Sequence, residues 1–223
     1  MMPFDKIYCI NLDSRTDRWS DCLTEFKKIG ITDRIERFPA VELTPGIAGC
    51  TKSHYEIVKM AKKSGYKNIL ILEDDISIIN TEFFTILSNS ITQLNNATTE
   101  CDMLYLGGNV SDNTPSNYSI DTNLVKLGYC KTTHAYVLNE SIYDIIIDAY
   151  SAIDWSNNHN WSQSNPNRLN IDVWLINNIQ SRGNTYGVYP CLVEQRAGFS
   201  NLVGREMYVP MAEKWNSIFK TND

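Results

Sequence analysis

Three carboxylates in a row, Glu73-Asp74-Asp75, follow directly on the apolar run Asn68-Ile69-Leu70-Ile71-Leu72. That run is too short for a helix and reads as a central strand buried on both faces. Left alone, the three acids are costly. Like charges this close raise one another's pKa, and burial raises it further. A divalent cation relieves the repulsion, and carboxylate oxygens suit hard ions such as Mn²⁺ or Mg²⁺. An extended chain sends Glu73 and Asp75 to one side and Asp74 to the other. In α/β sheets ligands bind beyond the carboxyl ends of the strands, which is where the triplet falls. The plainer alternative is a solvated turn whose acids cap the next helix. After a strand this apolar, the metal reading stands ahead of it.

Asp172 is the second acid of interest. It heads a helical pattern of Val173, Ile176 and Ile179 and follows a long polar stretch, Asp154 to Asn170. A carboxylate so placed can deprotonate a substrate hydroxyl or can simply cap its helix; both readings stand. His54 shares a helical face with Cys50 and Val58 and by residue type alone is a half-buried histidine. Trp155 and Trp161 offer aromatic faces for stacking on sugars, or anchors for the loop. Gly107-Gly108 either admits a substrate close to the backbone or makes a turn.

The elements that must position these residues are legible from periodicity. Ile7 to Ile10 is a short strand, followed by turn residues Asn11, Asp13 and Ser14 and by Trp19, Cys22, Leu23 and Phe26 at helical spacing up to Gly30. A strand over Arg37 to Val41, a turn at Pro45-Gly46 and a helical stripe of Cys50, Ile57, Val58 and Ala61 ended by Gly65 come next. A helix carrying Phe83 or Phe84, Leu87, Ile91 and Leu94 follows the triplet, then a buried strand Met103 to Leu106. Ser111 to Asn123 reads as a loop or flap, and Leu124–Cys130 with Ala135–Leu138 as a strand pair. Ser141 with Asp144 resembles a capping box. Tyr186 to Tyr189 is the final strand, and the tail from Gly198 has no clear pattern. Strands alternate with helices early and crowd together late, which predicts an α/β fold with a mostly parallel sheet and an antiparallel extension, in one domain.

The bulk numbers agree. The 223 residues are 43% hydrophobic and 21% charged, an ordinary globular composition. A net charge of −6 without Lys/Arg stripes excludes a general nucleic-acid binder. No apolar stretch approaches the ~18 residues of a transmembrane helix, and the opening Met1 to Lys6 lacks the form of a secretory signal. A cytoplasmic protein, at most peripheral to a membrane, is expected. Six scattered cysteines without a CxxC pair favour buried free thiols over zinc or disulfides. The sequons at Asn96 and Asn160 read as accidents of an Asn-rich composition.

Several segments together resemble one family, the glycosyltransferase family 25 enzymes. Ile7-Tyr8-Cys9-Ile10-Asn11-Leu12 through Arg15 and Arg18 is similar to its "strand–NL–x–R–x–x–R" signature, and Arg37-Phe38-Pro39-Ala40-Val41 to its "RF-x-AV" strand. Gly49-Cys50-Thr51-Lys52-Ser53-His54 resembles "GC-x-x-SH", and Leu72-Glu73-Asp74-Asp75 resembles "LEDD". Thr133 to Leu138 and Ile171-Asp172 with Leu175 resemble two later segments. Departures exist: Gln195 leads to Ser200-Asn201 where the family often has "Q…SD", and Val41-Glu42-Leu43 replaces the common "V-D-G".

The resemblance implies a Rossmann-like GT-A fold, with a nucleotide-sugar half over about residues 1–110 and an acceptor half over about 111–223. It implies an inverting hexosyltransferase that uses Mn²⁺ or Mg²⁺ and a UDP-sugar carrying galactose, glucose or N-acetylglucosamine. The acceptor would be a glycan, a lipid-linked sugar or hydroxylysine. Asp75 would bind the ion, with Glu73 and Asp74 nearer the ribose or the ion's waters. Asn11, Arg15, Arg18, Lys52, Ser53 and His54 would serve the donor, and Asp172 would be the base, with Glu194 and Asp154 next in line. Competing readings are a sugar-nucleotide-binding scaffold without turnover, a two-carboxylate glycoside hydrolase and, more remotely, a receiver-like signalling domain.

Overall fold

The structure is a computed structural model that describes residues 4–97, 99–111, 118–156, 170–200, 205–207 and 211–220. Trp161, the Asn160 sequon, Thr98 of the Asn96 sequon and Asn201 lie outside them. In chain order the strands are β1 Lys6–Asn11, β2 Ile35–Pro39, β3 Asn68–Glu73, β4 Ile76–Ile78, β5 Met103–Tyr105, β6 Asn109–Val110 and β7 Tyr118–Asp121. They continue with β8 Leu124–Lys126, β9 Cys130–Lys131, β10 Ala135–Asn139, β11 Thr185–Val188, β12 Val193–Gln195, β13 Gly198–Ser200 and β14 Arg205–Met207. The helices are α1 Thr16–Lys28, α2 Gly46–Ser64, α3 Phe83–Asn96, α4 Tyr143–Ser151, α5 Ile171–Asn178 and α6 Met211–Phe219.

Eight strands form one sheet in the order β2-β1-β3-β10-β5-β11-β8-β7. β1 lies parallel to β2 and β3, and β5 lies parallel to β11. β10 and β8 run against their neighbours, so the other six strands share one direction. The expected α/β fold with a mostly parallel sheet is present. One detail differs: an antiparallel strand sits at the centre, between β3 and β5, as well as toward the edge. The predicted pairing of residues 124–130 with 135–138 does not form, because β10 is taken by β3 and β5 while β8 pairs with β11 and β7.

Side chains alternate across this sheet as the strand period requires. Tyr8, Ile69, Ile71, Tyr105 and Tyr136 face α2, α4, α5 and α6, while Ile7, Cys9, Leu70, Leu72 and Val137 face α1 and α3. β3 is buried on both faces, as its unbroken apolar run predicts. Among the described residues no helix is long and apolar enough to cross a membrane. All six cysteines are free, and Cys9, Cys22, Cys130 and Cys191 are buried.

Local expectations met mixed outcomes. α1 and α2 span the predicted stripes; Gly30 and Gly65, both at left-handed φ, close them. The capping box at Ser141 is absent. Asn139 accepts from the Ser141 amide instead, and the Ser141 hydroxyl turns to Asp102 at 2.8 Å. The patternless tail contains α6, whose Met211, Trp215 and Phe219 are buried at spacings of four. Part of the expected flap is β7 at the sheet edge.

Candidate active site at the carboxyl ends of the central strands

β1, β2 and β3 run parallel and end side by side, and the loops beyond them enclose a cleft of about 400 Å³. Its lining includes Asn11, Arg15, Arg18, Glu73, Asp74 and Asp75, together with Ala40 to Thr44 and Cys50. The acidic triplet therefore lies where parallel strands present a ligand site. It is a cleft lining, not a solvated helix-capping turn.

The three acids have three different environments. Asp74 is 8% exposed and fully engaged: Asn11 Nδ2 donates to one oxygen at 2.7 Å and Arg18 to the other at 2.6 Å. Glu73 accepts from the Thr133 hydroxyl at 2.7 Å and has His54 Nε2 at 3.4 Å. Burial opposes its ionisation, yet the His54 and Thr133 contacts outweigh this and hold its pKa below the ordinary value. Asp75 is the exception. Its Oδ1 is buried without a hydrogen-bond partner, and its Oδ2 has only a long contact from Gln195, at 3.3 Å, and Arg18 at 3.9 Å. Burial and the charge of Glu73 push its pKa up to about 7. An orphaned, reluctantly ionised carboxylate oxygen on a residue that lines the cleft is what a hard cation would satisfy, so these residues fit such an ion.

The walls of the cleft explain the remaining motif residues. Arg37 Nε donates to Asn11 Oδ1 at 2.8 Å, so Arg37, Asn11, Asp74 and Arg18 form one chain of polar contacts across β2, β1 and α1. Ser53, fully buried, accepts from the Val41 amide and donates to the Gly49 carbonyl, both at 2.8 Å. A Cβ on Gly49 would collide with the Val41 carbonyl. The Gly49–Ser53 segment thus fastens the 40–44 wall to α2. The Ser53 proton and one lone pair are thus committed within the protein, and its side chain is not part of the cleft lining. Lys52 does not line the cleft; its ammonium lies 5.8 Å from the Trp155 ring, which in turn stacks on Tyr55. Trp155 is an anchor rather than an open sugar platform. His54 lies beneath the cleft, its Nδ1 2.7 Å from the Tyr136 hydroxyl. Arg15 lines the cleft and pairs with Asp17 at 2.8 Å.

Asp172 is in the first turn of α5 behind an N-cap at Asn170, so it is not the N-cap residue itself. Its Oδ1 accepts from the Val173 amide at 2.8 Å and its Oδ2 from Thr132, which sits at a left-handed φ of 73°, at 3.4 Å. Burial raises its pKa despite these bonds. Gly107 and Gly108 admit protein, not substrate: a Cβ on either would strike Val193 or Cys130. Two residues escaped the sequence reading. His134 Nε2 donates to the Val193 carbonyl and its Nδ1 meets the Thr132 hydroxyl, both at 3.1 Å, and burial lowers its pKa. Arg196 donates to the Asp74 carbonyl at 2.8 Å and pairs with Asp21, pinning the triplet's backbone.

A mostly parallel sheet with its cleft at this end, floored by a strand-terminal acidic triplet, defines an α/β protein with a ligand site beyond its central strands. The sequence profile described as "Glycosyltransferase family 25 (LPS biosynthesis protein)" matches residues 35–159, and the chain belongs to that family. A "Glycosyltransferase 25 family member" of Drosophila melanogaster is 30% identical over 170 residues, covering 62% of this chain and 27% of the relative. A namesake from Anopheles gambiae is 28% identical over 172 residues, covering 61% and 28%. The chain thus spans about a quarter of the length of the curated relatives it matches. Among solved structures, a glycosyltransferase involved in glycosylation of the major capsid of PBCV-1 aligns at TM-score 0.40 and 12% identity over 71% of this chain and 73% of that one.

Proposed function

We propose that the protein is a metal-dependent glycosyltransferase that moves a hexose from a UDP-sugar to a hydroxyl of a glycan, lipid-linked sugar or hydroxylysine acceptor. The supporting observation is Asp75, the one member of the triplet with a buried, unpartnered oxygen, on the floor of a cleft of ≈ 400 Å³. Asp75 would hold a Mn²⁺ or Mg²⁺ ion, which when bound stabilises a departing diphosphate as a Lewis acid. Arg15 and Arg18 supply positive charge to the same cleft, where phosphate oxygens would lie. Asn11 and Arg37 hold Asp74 and so orient Arg18. Glu73, kept ionised by His54 and Thr133, is positioned for a ribose hydroxyl as acceptor.

Asp172 is the proposed base. Its raised pKa suits a group that must take up a proton from an attacking hydroxyl. A base separate from the metal position implies attack from the face opposite the diphosphate, hence inversion. The nucleotide half extends to about residue 110, although β10 of the acceptor half is built into the same sheet, so the two halves share a core. The test is a panel of UDP-sugars with candidate acceptors and Mn²⁺, read by UDP release and by NMR of the product. A β-linked product from an α-linked donor is expected, and an α-linked product rules out inversion. Donor binding without turnover on any acceptor would favour the scaffold reading.

A further inference from the structure

Beneath the floor of the cleft, α2 and β3 bring together three groups that the transfer reaction does not require as a set. Cys50 Sγ, a ring nitrogen of His54 and a Glu73 carboxylate oxygen all lie within 4.8 Å of one another. Cys50 and His54 are four residues apart on one helix and therefore project from the same face, and Glu73 reaches them from the end of the neighbouring strand. His54 is 1% exposed, and its Nε2 has no hydrogen-bond partner. Glu73 Oε1, 3.4 Å away, is near enough to attract it but lacks the alignment of a bond. The other ring nitrogen is held by the Tyr136 hydroxyl at 2.7 Å, the outer partner that fixes a ligating imidazole. A cation taking the place of any proton on Nε2 would leave Nδ1–H donated to Tyr136 and Nε2 free to ligate.

We propose that Cys50, His54 and Glu73 form a site for one thiophilic divalent cation, best matched by Zn²⁺, distinct from the hard-cation position at Asp75. Thiolate, imidazole and carboxylate together are a zinc donor set, and three protein ligands leave a fourth position. Cys50 lines the cleft, so that position opens toward it. Modest contraction from separations within 4.8 Å brings the three atoms to bonding distance of a tetrahedral ion. Binding is balanced by a proton: the Cys50 thiol loses H⁺ to solvent as its sulfur bonds the cation. Burial and the charges of Glu73, Asp172 and Asp75 otherwise keep that thiol protonated, and a cation would relieve the same repulsion. Absence of a CxxC pair concealed the site, since its ligands come from a helix and a strand. The proposal does not depend on the donor or on turnover, although Glu73 is shared with the cleft.

The test uses the whole reduced chain with the metal alone. Co²⁺ should produce a thiolate-to-cobalt charge-transfer band that saturates at one ion and is abolished by Zn²⁺. Cys50→Ser should remove the band and weaken Zn²⁺ binding by at least about tenfold, whereas Asp75→Asn should keep both. A second measurement avoids reliance on a folded variant: Zn²⁺ should protect Cys50 of the unaltered protein from alkylation, read by mass spectrometry of its peptide. Absence of both the band and the protection overturns the proposal. So does a band that survives Cys50→Ser, or one lost in Asp75→Asn, which would place the ion on the triplet.

Discussion

Three adjacent carboxylates behave as three different groups because their partners differ. Asp74 is consumed by Asn11 and Arg18, Glu73 is held ionised by His54 and Thr133, and Asp75 is left with an orphan oxygen. Asp75 consequently links stability to pH. Folded, it keeps its proton up to about pH 7, whereas its ordinary value is 3.8. Between those values the folded state binds more protons, so metal-free stability falls as pH rises from about 4 to 7 and is level above. Asp75→Asn removes that slope. Its metal-free melting temperature should exceed wild type at pH 8 and approach it near pH 4, by ~1–2 kcal/mol of stability once relaxation and partial exposure are allowed for. Calorimetry at the two pH values checks this, and a variant less stable than wild type at pH 8 contradicts it. For Asp172 the expectation concerns rate. Asp172→Asn should lower kcat by roughly 10²–10⁴-fold with donor affinity unchanged. Turnover near wild type with a slightly lower Tm would leave it a helix-start acceptor for the Val173 and Thr132 amides.

At the scale of elements, the "GC-x-x-SH" stretch turns out to be a fastening. Ser53→Ala leaves the Val41 amide without its acceptor, so a loss of about 1–3 kcal/mol is expected in chemical denaturation. Donor KM should rise with it because the 40–44 wall loosens; an unchanged midpoint would remove Ser53 from this role. β3 and its acids were legible because an apolar run ending in charge is a local signal. So were α1 and α2, whose stripes are local too. The central place of β10 was not, since Ala135 opposite Leu72 is a pairing across more than sixty residues that no periodicity encodes. α6 did carry a signal, Met211, Trp215 and Phe219 at spacings of four, but the pattern is short and follows an irregular tail. Trp215 is fully buried, donates to the Val188 carbonyl at 2.9 Å and packs over Gly187, where a Cβ would come within 2.6 Å of its ring. Trp215→Ala should therefore cost ~3–5 kcal/mol, measured by denaturant titration.

Across the whole molecule, the cleft depends on segments distant in sequence. The β1 and β3 ends supply Asn11 and the triplet, β2 supplies Arg37, and the end of β12 returns to place Gln195 beside Asp75 and the next residue, Arg196, on the Asp74 backbone. Sequence spacing exposed the first three through family motifs, whereas the return of residues 195–196 is a tertiary fact. This convergence leaves one carboxylate oxygen of the triplet, Asp75 Oδ1, buried and unsatisfied. The central claim is that Asp75 holds a hard cation through which UDP is bound. Titration calorimetry of UDP tests it most directly, with wild type and Asp75→Asn each measured in Mn²⁺ and in excess EDTA. Binding by wild type in Mn²⁺ alone, and by Asp75→Asn in neither condition, is predicted. Equal affinity of wild type for UDP in Mn²⁺ and in EDTA would contradict it.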